Sequence, residues 1–210
     1  MVLAVACIAT LFLVGTMLRS TVDADAATLT GFQELGGNDT LLAFQDFSFN
    51  AEGWTPASTS DRLPGLGPVL GPFGVEPVQR SFAMPANATE AVATFDLHLV
   101  GDWAAEGGLQ LSLGQDLVLT AELAEGAAPE DITLSVTEPD GVTLAVQTLA
   151  VSPRPAEAAL PGASTDFVTL HVRLHTTEPG ETMVLRLSAD VAGEAQWTLD
   201  NLAVVTTVGS

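Results

Sequence analysis

The sequence predicts an all-β protein, an antiparallel β-sandwich preceded by a single N-terminal transmembrane helix. Three observations lead to this expectation. The first 18 residues carry no charged side chain. Beyond residue 41 the chain consists of short runs of alternating apolar and polar residues, separated by clusters of Gly, Pro and Asp. Apolar residues make up 47% of the chain and charged residues only 15%, which is the composition of a folded protein.

The N-terminal segment, residues 1–26, is predicted to lie in a membrane. A helix over residues 1–18 rises about 27 Å, close to the thickness of the hydrocarbon core of a bilayer. A cleaved secretory signal is the alternative, because Ala24-Asp25-Ala26 supplies small residues of the kind that a signal peptidase reads. No Lys or Arg precedes the apolar run, and Arg19 and Asp23 follow it, so the pattern favours a retained helix.

Residues 27–40 are predicted to form a linker with a hinge at Gly36-Gly37, and residues 41–210 the sandwich domain. The chain has 26 acidic residues, 6 basic residues and a formal net charge of -20. This charge repels phosphates, which excludes nucleic acid as a main partner. A long acidic domain without Lys is translocated readily, so we expect a periplasmic or cell-surface location. The single cysteine, Cys7, excludes a disulfide framework and a Cys-based zinc site.

The folded domain is predicted to contain many short strands, as expected for two packed antiparallel sheets. Residues 63–74 are rich in Gly and Pro and are predicted to form a long ordered loop, because proline removes a ladder donor and glycine packs poorly. The candidate strands are Leu41–Phe49, Pro77–Met84, Ala91–Val100, Leu109–Leu113, Asp116–Leu123, Asp131–Val136, Val142–Val151, Asp166–His175, Glu181–Val191 and Gln196–Val205.

Two pairs of these strands are predicted to form hairpins. In both turns proline presets φ and glycine tolerates a positive φ. The two hairpins join residues 131–137 to 142–146 across Glu138-Pro139-Asp140-Gly141, and residues 167–175 to 183–188 across Glu178-Pro179-Gly180.

Several sequence blocks, spread over residues 41–205, point to a family. They are Phe44-Gln-Asp-Phe, Glu52-Gly-Trp54, Leu70-Gly-Pro-Phe-Gly74, the run from Phe95 to Glu106, Leu111-Ser-Leu-Gly-Gln-Asp, and Trp197-Thr-Leu-Asp-Asn-Leu-Ala-Val204. Together the blocks resemble bacterial extracytoplasmic jelly-roll domains, similar to galactose-binding-like and carbohydrate-binding modules. The sequence departs from that family over Gly101–Glu106, where two polar positions are lost or shifted.

The resemblance implies a non-catalytic domain with a structural calcium site near the two chain ends. An acidic residue of the first strand and the Asp of the final Asp-Asn motif would contribute oxygens, which places the Ca2+ at Asp46 and Asp200. Calcium takes about six to eight oxygen ligands, several of them backbone carbonyls that a sequence does not reveal. The alternative is that both side chains cap turns at strand ends.

A positively charged surface is predicted around the strand over residues 166–175. Its candidate ligand-binding residues are His171, Arg173, His175 and Arg186. The first three fall on one face at period two, and the fourth lies on the partner strand of the predicted hairpin. We expect a recessed surface for an anionic or hydroxyl-rich glycan, because arginine presents forked donors to carboxylate or sulfate. The alternative is that these side chains pair with carboxylates such as Asp166 and Glu181.

The remaining aromatic and histidine residues divide between surface and core. Trp103 lies in a loop flanked by Gly and Ala and is predicted to contact ligand, whereas Trp54 and Trp197 are expected to anchor the core. His98 falls on the polar phase of its strand and is expected to be solvated or paired with a carboxylate. No Gly-x-Ser-x-Gly elbow is present and paired acids arise by chance in so acidic a chain, so we do not expect an enzyme.

These patterns predict a membrane-anchored, extracytoplasmic and non-catalytic module that binds a polysaccharide or other surface proteins. One alternative is a pilin-like filament subunit that assembles with its own copies through the N-terminal helix. Another is an accessory subunit that contributes a single helix to a membrane complex.

Overall fold

The computed structural model describes residues 37–61, 63, 66–101, 108–122, 132–153, 166–190 and 195–209. Every regular element in these ranges is a β-strand, which confirms the all-β prediction. Among the same residues, no helix has the length and apolar character needed to cross a bilayer. The predicted membrane segment, residues 1–26, and residues 27–36 of the predicted linker lie outside the described part of the chain.

The described residues form two antiparallel sheets. Sheet 1 has the strand order β10-β11-β6-β13-β4-β3, with β1 also paired to β13, and sheet 2 has the order β2-β5-β12-β7-β8-β9. The strands are β1 (Asp39–Gln45), β2 (Trp54–Thr55), β3 (Thr59–Ser60), β4 (Val69–Phe73), β5 (Val78–Ala83), β6 (Ala88–Val100), β7 (Gly108–Leu113), β8 (Asp116–Glu122), β9 (Thr133–Val136), β10 (Val142–Pro153), β11 (Asp166–Thr177), β12 (Thr182–Ala189) and β13 (Gln196–Val208).

Each predicted strand overlaps an observed one, because apolar and polar residues alternate with the two-residue period of an extended chain. The first strand ends earlier than predicted, at Gln45. Beyond this residue Asp46 Oδ1 accepts a hydrogen bond from the backbone N of Ser48, 3.1 Å away, and Phe47 adopts a left-handed φ of 55°. This turn redirects the chain from sheet 1 toward β2 in sheet 2.

Both predicted hairpins are wrong. The strand β9 pairs with β8 in sheet 2, whereas β10 pairs with β11 in sheet 1. The strand β11 pairs with β10 and β6, whereas β12 pairs with β5 and β7 in the other sheet. Each proline-containing turn therefore carries the chain between sheets. Turn residues permit a change of direction but do not select the pairing partner, and an amphipathic strand can bury its apolar face from either sheet.

The turn at Gly141 shows how such a crossing is built. Gly141 has a φ of 76°, and a Cβ at this position would lie 2.9 Å from Thr177 Oγ1. The backbone N of Thr177 donates to the carbonyl of Gly141 at 2.8 Å. Glycine is required here because both the left-handed conformation and the close approach of β11 exclude a side chain.

The prediction of a loop over residues 63–74 is also wrong in part, since β4 occupies Val69–Phe73. The register between β13 and β4 shifts, so that Trp197 faces Phe73 and Leu199 faces Leu70. Gly71 and Pro72 lie within this irregularity. A bulge leaves a residue outside the regular ladder, so the missing N–H of proline costs less there than in a regular strand.

The core lies between the sheets and contains the apolar residues of each alternating strand. Trp54 and Trp197 are 3% and 0% exposed, which confirms both as core anchors. Their polar edges are satisfied: Trp197 Nε1 donates to the carbonyl of Gly74 at 3.0 Å, and Trp54 Nε1 donates to Gln45 Oε1 at 2.8 Å. On the central strand β6 the odd-numbered residues 91–99 point into this core. The even-numbered residues of β6 therefore face away from sheet 2.

Candidate functional site

The face of sheet 1 that points away from sheet 2, here the outer face, brings distant polar residues into register. Cross-strand partners share a face, so each row of the sheet can be followed across β11, β6 and β13. The rows on the outer face are Thr169, His98 and Thr198; His171, Asp96 and Asp200; Arg173, Thr94 and Ala203; and His175, Val92 and Val205.

Asp96 lies at the centre of the outer face and is buried. Its Oδ1 accepts a hydrogen bond from His171 Nδ1 at 2.8 Å, and its Oδ2 accepts one from Asn201 Nδ2 at 2.9 Å. Burial by itself raises the pKa of Asp96, but the bonds from His171 and Asn201, with the nearby charges of His171 and His98, hold that pKa below its usual value. Asp96 is therefore a carboxylate at neutral pH.

The sequence leaves two environments for His98, solvent or a carboxylate partner, and the structure shows that it is not solvated. It is 6% exposed, and its Nδ1 lies 2.9 Å from Thr169 Oγ1 on β11. Burial lowers the pKa of His98 to about 4, opposed in part by the charge of Asp96. The imidazole is consequently neutral at physiological pH, and His98 is part of the structure of the sheet rather than a surface charge.

A cavity of 280 Å³ opens on the outer face, in the rows beyond Asp96. Its lining residues are Glu90, Val92, Thr143, Ala145, Arg173 and His175. His175 Nε2 and Glu90 Oε2 lie 3.2 Å apart, and their side chains are 33% and 48% exposed. The structure therefore gathers Arg173 and His175 in one recess, as the strand periodicity predicts.

The partners of the two histidines come from β6 and not from their own turn. His171 bonds Asp96 and His175 bonds Glu90, 75 and 85 residues away in the chain. The two histidines therefore pair with carboxylates other than the expected Asp166 and Glu181. The strand pairing of β11 with β6 decides the partners, and this pairing is not readable from local sequence.

Arg186 does not belong to this surface, and its assignment there is corrected. It lies on β12 in sheet 2, in register with Gln79 and Ser112, and is exposed. Its neighbours Leu185 and Leu187 are buried, so Arg186 points away from sheet 1. The error follows from the predicted hairpin between β11 and β12. Trp103 lies outside the described residues.

Asp46 and Asp200 both act as acceptors for nearby backbone N–H groups. Asp46 Oδ1 bonds Ser48 N at 3.1 Å, and Asp200 Oδ1 bonds Asn201 N at 2.7 Å. In the described ranges, no group of three or more His, Cys, Asp or Glu side chains is arranged to hold a metal ion. Backbone carbonyls supply many calcium ligands, so calcium at these two residues stays a prediction.

A larger cavity, of 550 Å³, lies beside β1 and was not predicted. It is lined by residues 42–47, 49, 50, 52, 53, 80 and 81. Several of its lining residues belong to the Phe44-Gln-Asp-Phe and Glu52-Gly-Trp54 blocks, on which the family resemblance rests. The sequence of these blocks does not show how close they lie in the fold. Only the fold shows that Arg80 on β5 joins these two blocks in one recess.

No protein-family model matches the sequence, and no curated protein matches it significantly. Among solved structures, the chain is similar to TmCBM27, a carbohydrate-binding module described in a study of specific mannan recognition. The TM-score is 0.35 and the sequence identity 11%, over 81% of this chain and 90% of that chain.

Proposed function

We propose that the protein is a non-catalytic glycan-binding module, held outside the cytoplasm by an N-terminal membrane segment. The observation that carries this proposal is the outer-face cavity. Its side chains offer a guanidinium, an imidazole, a hydroxyl and a carboxylate around a floor of small apolar groups from Val92 and Ala145. A sugar presents hydroxyls at its edge and C–H groups on its faces, and this recess contains groups for both.

Arg173 gives the cavity a preference for acidic sugars. Its side chain is exposed, and within the described residues it forms no ion pair with a carboxylate. The planar guanidinium can bond both oxygens of a uronic acid carboxylate or a sulfate. The net negative charge of the chain opposes such binding, but at physiological salt charges beyond about 8 Å are largely screened, so the nearby guanidinium contributes most to the local attraction.

The shape of the outer face also suits a polymer. The strands β6 and β13 are each 13 residues long, and polar rows continue from the cavity toward Asp96 and Asp200. Further sugar units bound next to the cavity would meet the partly exposed His171 and the exposed Gln147, its partner on β10. The expected ligand is therefore an acidic polysaccharide rather than a free monosaccharide.

Calorimetry with the full-length chain and a polyuronic acid tests the proposal. Arg173→Ala is expected to weaken binding about tenfold, which corresponds to about 1.4 kcal/mol. Arg186→Ala is the matched control, since it removes the same charge from the exposed face of sheet 2 and is expected to bind like the wild type. Equal affinity of all three proteins, or no binding of any polysaccharide by the wild type, would contradict the proposal.

A further inference from the structure

The cavity beside β1, here the edge cavity, has two aromatic side chains at its rim. Phe44 is 51% exposed and Phe49 is 94% exposed, and both line the cavity. Phe47 between them is 2% exposed and packs near Trp54, with ring centroids 6.5 Å apart. The buried Phe47 anchors the loop, so the two outer rings are presented from a fixed backbone. A single exposed apolar residue is ordinary, whereas two partly exposed rings on one recess form an apolar patch.

The edge cavity is also lined by the guanidinium of Arg80, which is held in place on several sides. Arg80 Nη1 donates to Gln45 Oε1, and its Cζ lies 4.7 Å from the centroid of the Phe82 ring. Gly53 makes room for it, because a Cβ at Gly53 would lie 3.1 Å from Arg80 Nε. Gly53 has a φ of 84°, which also favours glycine.

Gln45 connects this guanidinium to the core. Its Oε1 accepts from the indole of the buried Trp54 as well as from Arg80, and its Nε2 donates to the carbonyl of Glu52 at 3.0 Å. The amide of Gln45 is therefore oriented before any ligand arrives, and it holds the guanidinium of Arg80 in place. A side chain that is already ordered loses less entropy when a ligand binds.

The loop adds acceptors and donors in fixed positions. Asp46 Oδ1 bonds Ser48 N, and Asn50 Oδ1 bonds Glu52 N at 3.1 Å. Each bond orients a side chain whose second polar atom is available to a ligand, a carboxylate oxygen on Asp46 and an amide nitrogen on Asn50. Both residues line the cavity together with Glu52.

We propose that the edge cavity is a second binding site, which takes an uncharged sugar unit. Two carboxylates, Asp46 and Glu52, repel an anion, and the guanidinium of Arg80 adds hydrogen-bond donors. Hydroxyl groups both donate and accept, and so match this mixture of groups. The apolar face of a sugar ring fits against Phe49, the more exposed of the two rings at the rim. The volume of 550 Å³ falls within the range of about 300–1,000 Å³ that is usual for small-molecule sites.

This site is independent of the outer-face cavity. The two cavities share no lining residue, and the acidic excess of the edge cavity selects against the ligand proposed for Arg173. A neutral and an acidic stretch of one polysaccharide, or two different glycans, would be bound at separate places on the domain.

The test uses the full-length chain and neutral hexasaccharides, namely cellohexaose, mannohexaose and xylohexaose, with hexagalacturonate as the charged counterpart. Phe49→Ala is expected to weaken binding of a neutral hexasaccharide about tenfold and to leave the melting temperature unchanged, because the ring is almost fully exposed. Asp46→Asn keeps the oxygen that bonds Ser48 and removes the charge, and is expected to weaken the same binding in the presence of a chelator, where calcium does not contribute. Val75→Ala, a change at another exposed apolar residue, serves as the control and is expected to have no effect.

Arg173→Ala separates this inference from the function proposed above, since it is expected to leave neutral binding intact. The inference is overturned if the wild type binds none of the three neutral hexasaccharides, or if Phe49→Ala binds them as the wild type does. A concentration-dependent dimer that Phe49→Ala abolishes, without any sugar binding, would identify the rim as a protein contact and overturn the inference as well.

Discussion

His171 Nδ1 lies 2.8 Å from Asp96 Oδ1, across a directly paired position of β11 and β6. The second oxygen of the same carboxylate, Oδ2, accepts a hydrogen bond from Asn201 Nδ2 on β13 at 2.9 Å. One buried carboxylate thereby links the side chains of three adjacent strands in the middle of sheet 1. The hydrogen bond at Nδ1 also sets the orientation of the imidazole of His171, so that Nε2 is the ring nitrogen left for other contacts.

Removal of the Asp96 charge is expected to destabilise the domain. Asp96→Asn keeps the shape of the side chain but weakens bonds to a charged group, and is expected to lower the free energy of unfolding by about 1.5–3 kcal/mol. Glu90→Gln changes the equivalent but exposed pair with His175 and is expected to cost less than about 1 kcal/mol. Urea unfolding of both variants gives the comparison. Equal effects would show that the burial of Asp96 has no energetic consequence.

Acid is expected to destabilise the domain through His98. The pKa of the folded state, about 4, lies below the ordinary value of 6.5, so the unfolded chain binds the proton more tightly. The stability that the neutral, buried His98 contributes is present in full above pH 6.5 and is lost as the pH falls toward 4. The free energy of unfolding falls by roughly 3 kcal/mol between these two pH values.

Urea unfolding at pH 7.5 and pH 5 measures the contribution of His98. The charged or titratable groups that face it are Asp96 and, one row along the outer face, His171 and Asp200. His98→Gln removes the titrating group, and the variant is expected to lose less stability than the wild type between the two pH values. An identical loss in both proteins would assign the pH dependence to other groups.

The N-terminal segment is expected to anchor the chain. Leu13→Arg places a charge in the middle of the apolar run and is expected to cost about 2.5–3.5 kcal/mol of membrane insertion. Membrane fractionation and mass spectrometry of the mature N-terminus provide the measurement. A wild-type protein found wholly in the soluble fraction, starting near Ala27, would show that the segment is a cleaved signal.

Calcium is expected to stabilise the domain through Asp46 and Asp200. Binding to the folded state alone, at a hundredfold excess over the dissociation constant, raises the free energy of unfolding by about 2.7 kcal/mol. Thermal melts with and without a chelator should therefore differ, and Asp200→Asn should remove the difference. The Asn retains an oxygen for the backbone N of Asn201, so the turn itself is preserved. Superimposable melts of the wild type would exclude the calcium site.

The sequence by itself determined ten of the thirteen strands that the structure describes, their buried faces and the core anchors. Alternation with a period of two is a local property, so Arg173 and His175 were placed on one face before any partner strand was known. Trp54 and Trp197 were likewise assigned to the core, because a large apolar side chain gains most from burial wherever its strand lies.

Tertiary structure alone decided which strands pair. A strand with one apolar face buries the same area in either sheet, so nothing near Gly141 or Gly180 distinguishes a hairpin from a crossing between sheets. Because the chain crosses after β11, Arg186 lies in sheet 2. The pairing of β11 with β6 places His171 next to Asp96, 75 residues away in the chain. The edge cavity arises in the same way, since it exists only where the chain leaves β1 for sheet 2 and meets Arg80. Contacts between residues far apart in the chain depend on the packing of the whole sandwich, which no local pattern records.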